Sequence, residues 1–499
     1  MNNKSVAIIG AGLGGISAAI YLSKFGFQVD VFEQSNSAGG KASTIEFDGF
    51  RFDSGPTLLT MPFVLENLFD ICGEDLSKHL ELVKLDAICK YFYSDGTVLQ
   101  AFSNIENFAE EIQSKTTDNA ITVKKYLDYC KTIYDLTADL FLQKSFTEPS
   151  TFLNFKALKT LLSINKLDTN RTMHNANSNF FYDKKTIQLF DRYATYNGSN
   201  PFQAPATLNI IQHVEYGIGG YIPRGGIRKI PQTLFELAVK SGANFYFNSC
   251  VEKILVDKKK ITGIQINQNS ESISKKYSVV ISNADVNFTY QKLLPNVKIK
   301  QAKKYLKHEP STSALVFYWG IDGIHEQLSI HNIIFSDNYK SEFDDLFIKK
   351  ICPADPTIYI YISSKLNDED APHGSENWYV MINAPYVGGQ NWELEIQKSR
   401  ERIIKKINRV LGIEIEKNIV AEKILTPEMI EKNTSSFRGS LYGISSNSKF
   451  SAFLRQQNRS KEIQGLYFCG GSAHPGGGIP LVLLSGKITS ELIRKYELK

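Results

Sequence analysis

The apolar positions change period several times along the chain, and each change predicts an element. SVAII at residues 5–9 is a short unbroken apolar run, as expected of a strand covered on both faces. Five residues later an alanine-rich stretch with helical spacing runs to Lys24, Gly26 stops it, and QVDVF at residues 28–32 is apolar again. The chain therefore opens as strand, glycine turn, helix, strand. Alternation follows in EFDGFRFD, where Asp48-Gly49 predicts a tight hairpin, and again in 88–94 and 97–102 around Ser94-Asp95-Gly96. Residues 105–166 are mostly helical by period. After Gly226 a helix carries Ile230, Leu234, Leu237 and Ala238 on one face and ends before Gly242; strands at 243–247, 251–256, 261–266 and 279–282 follow it. STSALVFYW (311–319), TIYIYI (357–362) and NWYVMIN (377–383) predict further strands, with a helix over 393–411 and a last strand and helix at 465–469 and from about Leu481.

The whole chain is 499 residues long and 42% hydrophobic, enough for a large core and more than one domain. Its 57 basic against 52 acidic side chains leave a net charge of +5, too dilute to point to nucleic acid. The six cysteines show no CxxC pair and no metal-ligand spacing, and neither HExxH nor GxSxG occurs. Residues 8–27 are apolar, but five glycines and Lys24 argue against a membrane span, and no cleavage site follows. The expectation is a cytoplasmic protein that meets membranes only at their surface.

The first turn is where chemistry enters. Gly10-Ala11-Gly12-Leu13-Gly14-Gly15 sits between a strand and a helix: Gly10 permits the turn, Gly12 lets backbone N–H groups approach a pyrophosphate at the helix N-terminus, and Gly15 lets helix pack on strand. Glu33 ends the second strand, where a carboxylate accepts hydrogen bonds from ribose hydroxyls. Together these residues predict a dinucleotide site. A second doublet, Gly39-Gly40-Lys41 in SAGGKAST, and a constrained loop, Asp53-Ser54-Gly55-Pro56-Thr57, follow where a nicotinamide domain would lay down another helix. Near the other end, CGGSAHPGGGIP concentrates five glycines between a strand and a helix.

These segments resemble the FAD-binding amine oxidase and phytoene desaturase superfamily. The resemblance implies an α/β fold: a Rossmann-like FAD-binding domain and an interleaved α+β substrate domain containing an antiparallel sheet. It places Gly39, Gly40 and Lys41 along the pyrophosphate, Gly55, Pro56 and Thr57 near the flavin, the Val251 backbone against adenine, and Gly470, Gly471, Gly478, Ile479 and Pro480 beside the ribityl chain and pyrimidine. It divides the chain into FAD-binding segments at 1–85, 216–290 and 451–499 and substrate segments at 86–215 and 291–450.

Within the superfamily, FDSGPTLLTMP, GSNPFQAP, YIPRGG, SNADV and SAHPGGGIPLVLLSGK resemble the bacterial-type carotenoid desaturases, and RYATYNGSNPFQAPATL is closest to hydroxycarotenoid 3,4-desaturases. A phytoene-type desaturase, another flavin oxidase of the fold and a non-enzymatic prenyl-lipid carrier are the alternatives. A desaturase would take FAD as cofactor, a carotenoid as substrate, and oxygen or a quinone as electron acceptor. Asp191, Arg192 and His213 are the polar candidates near substrate, each with a structural role as the plainer reading. PSTFLNFKALKTLLSINKL (149–167) sets phenylalanines and leucines against Lys156, Lys159 and Lys166, a pattern that suits either a membrane interface or a packed helix.

Overall fold

The computed structural model describes residues 4–145, 148, 163–268, 271–448 and 455–498. At its centre is a parallel sheet in the order Leu466–Phe468, Val279–Ser282, Ser5–Ile9, Gln28–Phe32, Asn244–Tyr246. Ile8 lies between Val31 and Ile281, and Val6 between Val29 and Val279. The first strand reads as a continuous apolar run because both faces are covered. Val6 and Ile8 pack toward helix Leu13–Lys24, the C-terminal helix Ile479–Glu497 and helix Lys229–Lys240. Ala7 and Ile9 pack beneath a three-stranded antiparallel sheet, Ser249–Asp257, Lys260–Gln268 and Glu271–Lys276.

The first and last helices approach closely because small residues line their contact. Ser17 Oγ donates to the Leu483 carbonyl at 2.8 Å and Ser490 Oγ to that of Ala18 at 3.3 Å. A methyl on Gly486 would meet the Gly14 carbonyl oxygen at 2.6 Å.

A second, seven-stranded sheet runs Ile419–Leu425, Ser313–Asp322, Ser375–Ala384, Ile358–Ile362, His331–Ile334, Ala87–Phe92, Val98–Phe102. Its faces differ chemically. Leu315, Phe317, Ile358, Ile360, Trp378 and Val380 form an aliphatic and indole face packed with Ile403, Ile404 and Ile407 of helix Trp392–Leu411. Tyr318, Tyr359, Tyr361 and Tyr379 point the other way, toward the hairpin Thr44–Phe47 and Phe50–Asp53. Asp48 and Gly49 both adopt positive φ in that hairpin, as the Asp-Gly pair predicts.

One sequence expectation needs amendment. The long sheet is antiparallel except where His331–Ile334 runs parallel to Ala87–Phe92, the junction between two distant parts of the chain. Before helix Lys229–Lys240, Tyr221–Pro223 pairs antiparallel with Leu82–Lys84, a pairing that no sequence pattern announced. Of the amphipathic stretch 149–167, residues 149–162 lie outside the described residues, and Ile164–Leu167 form a short 3-10 turn. Among the described residues no helix is long and apolar enough to cross a membrane.

Candidate functional site

The glycine turns near the two ends of the chain converge above the C-terminal ends of the central parallel strands. Gly10 turns at φ +94°, donating to the Phe32 carbonyl at 2.8 Å. Asn283, immediately after strand Val279–Ser282, donates its side-chain amide to the Gly10 carbonyl at 3.1 Å and its backbone N–H to Ile9 at 2.9 Å. A methyl on Gly12 would come within 3.0 Å of that amide, and one on Gly470 within 2.6 Å of the Asn283 side-chain oxygen. Asn283 is therefore wedged between both turns, and only glycine leaves room for it. SNADV carries this residue, but a single asparagine outside any periodic pattern gave no sign of bridging them.

Glu33 is buried at the end of the second strand. Its Oε2 accepts from the Ala11 N–H at 2.7 Å, and its Oε1 from the backbone and hydroxyl of Ser35 at 2.9 and 2.8 Å. Three of about four acceptor positions are filled, leaving Oε2 able to take one more donor. The Ser249 N–H donates to the Glu33 carbonyl at 2.8 Å, which brings Val251, two residues further along, to the same edge. Gly39 donates to the Ala11 carbonyl at 2.9 Å, and a methyl on Gly40 would stand 3.2 Å from Gly12 Cα, so the second doublet lies directly on the first turn.

Gly55 abuts Lys41: a methyl there would overlap the Lys41 carbonyl oxygen at 2.0 Å. Asp53 anchors that loop by accepting from the Ile227 N–H at 3.1 Å and Tyr361 Oη at 3.3 Å, with Gly226 packed against its carboxylate. YIPRGG thus ends on the glycine that makes room for Asp53. Pro56 is half-buried beside it, and Thr57 Oγ1 lies 2.6 Å from Tyr359 Oη, which lies 2.7 Å from His331 Nδ1. Burial, with Arg192 nearby, pulls the His331 imidazole down to about 3, so it stays neutral.

Lys41 reaches across to the carbonyls of Ser440 and Leu441 at 3.4 and 3.0 Å. Its side chain is open to solvent, yet enough protein surrounds it to lower its ammonium to about 8 against the pull of Asp285, as expected of a group lining a cleft. A methyl on Gly471 would stand 3.6 Å from Gly477 Cα, and Gly478, at φ +97° with open space beside it, precedes Ile479 and Pro480 at the start of the last helix. The helices that begin after Gly12 and Gly478 both lack a side-chain cap. Two uncapped N-termini, glycines with no room for a side chain and a carboxylate at the second strand's end fit an extended dinucleotide bearing a pyrophosphate.

The remaining candidates are elsewhere. Asp191 is buried and accepts from His174 Nδ1 at 2.7 Å and Asn177 Nδ2 at 2.8 Å, while burial raises its carboxyl. Arg192 lies buried among rings, donating to Tyr91 at 2.8 Å and to Tyr193 and Glu215 at 3.0 Å each. Tyr193 and Tyr196 also donate to Glu215. The His213 backbone N–H donates to the Ile210 carbonyl, and its ring packs on that of Tyr134 at 4.9 Å, apart from the Arg192 network. Cys469 is fully buried, its thiol pushed up by burial and turned to Asn283 at 3.6 Å, a poor candidate for a covalent tether. His474 is also neutral, pulled down to about 4, and its Nε2 meets the Lys144 carbonyl at 2.9 Å.

Comparison with known proteins agrees with this geometry. The chain is 46% identical over 490 residues to a 1-hydroxycarotenoid 3,4-desaturase of a Flavobacterium species, covering 98% of this chain and 99% of that one. It is 32% identical over 502 residues to a 4,4'-diaponeurosporene oxygenase of Staphylococcus haemolyticus, covering 100% and 99%. Among solved structures, an oxidoreductase from Methanosarcina mazei matches with TM-score 0.65 at 15% identity over 98% of this chain and 100% of that one. A redesigned putrescine oxidase matches with TM-score 0.65 at 16% identity over 98% of each; both likenesses concern the fold alone. The family model described as flavin-containing amine oxidoreductase matches residues 13–494, so the chain belongs to that family.

Proposed function

We propose that this chain is an FAD-dependent carotenoid desaturase that forms a C=C bond beside a conjugated polyene, acting at the 3,4 position of a 1-hydroxycarotenoid, acyclic or monocyclic. The observation that carries this reading is the 46% identity, spread over nearly the full length of both chains, with a relative named for that reaction. Residues 1–85, 216–290 and 451–499 form the cofactor unit in this reading, and 86–215 and 291–450 the substrate unit.

Bound FAD supplies the two-electron acceptor for the hydride that a saturated carbon loses when the double bond forms. Gly10 and the helix start at Gly12, Leu13, Gly14 and Gly15 hold the pyrophosphate, Glu33 the adenosine ribose, and the Val251 backbone the adenine. Gly39, Gly40 and Lys41 flank the pyrophosphate. Gly55, Pro56 and Thr57 set one side of the flavin, and Gly470, Gly471, Gly478, Ile479 and Pro480 the other. Where the tyrosine face of the long sheet is left uncovered by the hairpin, at half-buried Tyr359, it offers the apolar aromatic surface that suits a polyene. Positive charge left by the departing hydride spreads along the polyene, so the neighbouring carbon releases its proton without a strong base. That suits a site whose imidazole, His331, is held neutral and fixed by Tyr359. Asp191 and Arg192 then act by holding the wall in place, and His213 within the helical layer.

Oxygen or a membrane quinone reoxidises the cofactor, and the protein meets the bilayer from its surface, because the substrate is dissolved there. Expression in cells that accumulate acyclic, monocyclic and hydroxylated carotenoids, followed by pigment analysis, tests the reading: a product that has lost two hydrogens is expected, and no new double bond in any pigment defeats it. The oxygenase relative supports a second reading, oxidation of the same class of polyene, for which the product gains oxygen instead.

A further inference from the structure

Arg455 is a buried cation without a counter-charge, placed against the C-terminal glycine turn. It is 4% exposed. Its Nη1 donates to the carbonyls of Tyr442 at 2.8 Å and Gly471 at 3.2 Å, and its Nη2 to that of Ile444 at 3.4 Å. A methyl on Gly476 would come within 3.3 Å of its Nε. Three of the five guanidinium hydrogens are so committed, all to neutral acceptors. Among the described residues no carboxylate lies within ion-pair distance of it, in contrast to Arg192, which has Glu215. Burial works against its charge, and the neighbouring groups that respond to it are Tyr305 and His474, neither an anion at neutral pH.

Burying a charge costs several kcal/mol unless an opposite charge compensates it, and dipoles of backbone carbonyls do so only in part. The same turn is tightly built. Tyr442 leaves no room for a side chain at Gly477, whose methyl would meet its ring at 2.6 Å, and Tyr305 Oη donates to the Ser472 carbonyl at 2.9 Å. Lys41 holds the other end of the 440–444 loop through Ser440 and Leu441. The guanidinium is thus held by carbonyls from two separated parts of the chain, and its uncommitted Nε lies against Gly476, two residues before the uncapped helix start at Gly478.

We infer that Arg455 is the cationic partner of the flavin's reduced form and raises the reduction potential of bound FAD. This rests on the FAD reading above. Transfer of a hydride breaks one substrate C–H bond and carries two electrons and one proton to the cofactor, while the neighbouring carbon gives a second proton to solvent. The cofactor gains one unit of negative charge, and a preplaced guanidinium with nothing else to neutralise favours that state without reorganising. Abstraction of hydride from a hydrocarbon carbon, even where the polyene shares the charge that is left, is a step that needs a strong acceptor.

The test is the midpoint potential of the bound flavin, read anaerobically against reference dyes, together with the affinity for oxidised FAD. Wild-type protein should hold FAD at a potential above that of free FAD. Arg455→Gln should shift the equilibrium toward the oxidised form about tenfold or more, about 30 mV for a two-electron couple. Arg455→Lys, which keeps the charge and loses the fork, should recover most of the shift. A wild-type potential at or below that of free FAD overturns the inference without any variant, so it stands or falls even if Arg455→Gln does not fold. Weaker binding of oxidised FAD in both variants with an unshifted potential also overturns it, assigning Arg455 to the oxidised cofactor. Failure of the wild-type protein to take up FAD at all is a different result: it defeats the reading on which the inference rests.

Discussion

Gly14 and Gly470 lie in van der Waals contact across nearly the whole length of the chain: a methyl on Gly14 would stand 3.0 Å from both the Cα and the amide nitrogen of Gly470. The same methyl would meet the Asn283 side-chain oxygen at 2.7 Å. Three segments that could each be a surface turn are therefore one object, closed by an asparagine amide and by two helices packed through serine and glycine. The closure fixes where both helix N-termini point, and so where an anionic cofactor can sit.

Gly14→Ala should accordingly strain this closure. Its backbone is helical, so the penalty comes from overlap and not from φ, and overpacking of this kind costs about 1–3 kcal/mol. The apoprotein should unfold at lower temperature and the purified variant should carry less flavin. A variant with unchanged thermal midpoint and full flavin occupancy would show that the two turns have freedom to separate.

Glu33→Ala removes the acceptor of three hydrogen bonds, and with it the brace on the Ala11 N–H and the carboxylate proposed to hold the ribose. Hydrogen bonds to a charged group contribute about 1.5–3 kcal/mol, which corresponds to an affinity loss of about tenfold to a hundredfold. Flavin released on repeated ultrafiltration measures it. Unchanged retention would mean that the ribose lies elsewhere.

What could be read from the sequence was what local pattern dictates. The βαβ opening, the Asp48-Gly49 hairpin and five of the seven strands of the long sheet follow from a period of two or an unbroken apolar run, and the observed boundaries lie within a few residues, whereas His331–Ile334 and Ile419–Leu425 were not anticipated. What could not be read depends on closure in space. Strand His331–Ile334 pairs parallel with Ala87–Phe92, a choice between partners set by packing far along the chain. Asn283 and Arg455 are single polar residues whose neighbours in sequence explain nothing about them. Arg192 was visible as a polar residue worth inspecting, but its partner Glu215 lies in an irregular helical turn with no motif around it.

That pair makes its own prediction. Arg192 and Glu215 are both nearly fully buried, so removing one partner leaves the other's charge uncompensated, at a cost of about 3–5 kcal/mol. Glu215→Gln should lower the urea midpoint markedly, whereas Glu215→Gln combined with Arg192→Met should be less destabilised than the sum of the single changes. Flavin content per folded molecule should stay constant, because the pair supports the aromatic wall and not the cofactor. Additive losses would show that the two side chains are not coupled.

His331 gives a prediction in pH. It is 3% exposed, stacked on Tyr361 at 4.9 Å and bonded to Tyr359, and it lies in the field of Arg192, so its folded-state affinity for a proton falls from the ordinary 6.5 to about 3. Below about pH 6.5 the unfolded chain binds a proton that the folded chain refuses, and folding stability declines by about 1.4 kcal/mol for each pH unit until the folded-state value is reached. The contribution is present in full above pH 6.5 and lost as pH drops toward 3. His331→Gln keeps an acceptor for the Tyr359 hydroxyl but cannot titrate. Its stability at pH 7 should be lower, because the ring stacking is gone, and its decline between about pH 6 and 4 should be shallower than wild type by one proton's slope. Denaturant unfolding at a series of pH values measures both, and parallel curves for the two proteins would show that His331 accepts its proton without unfolding.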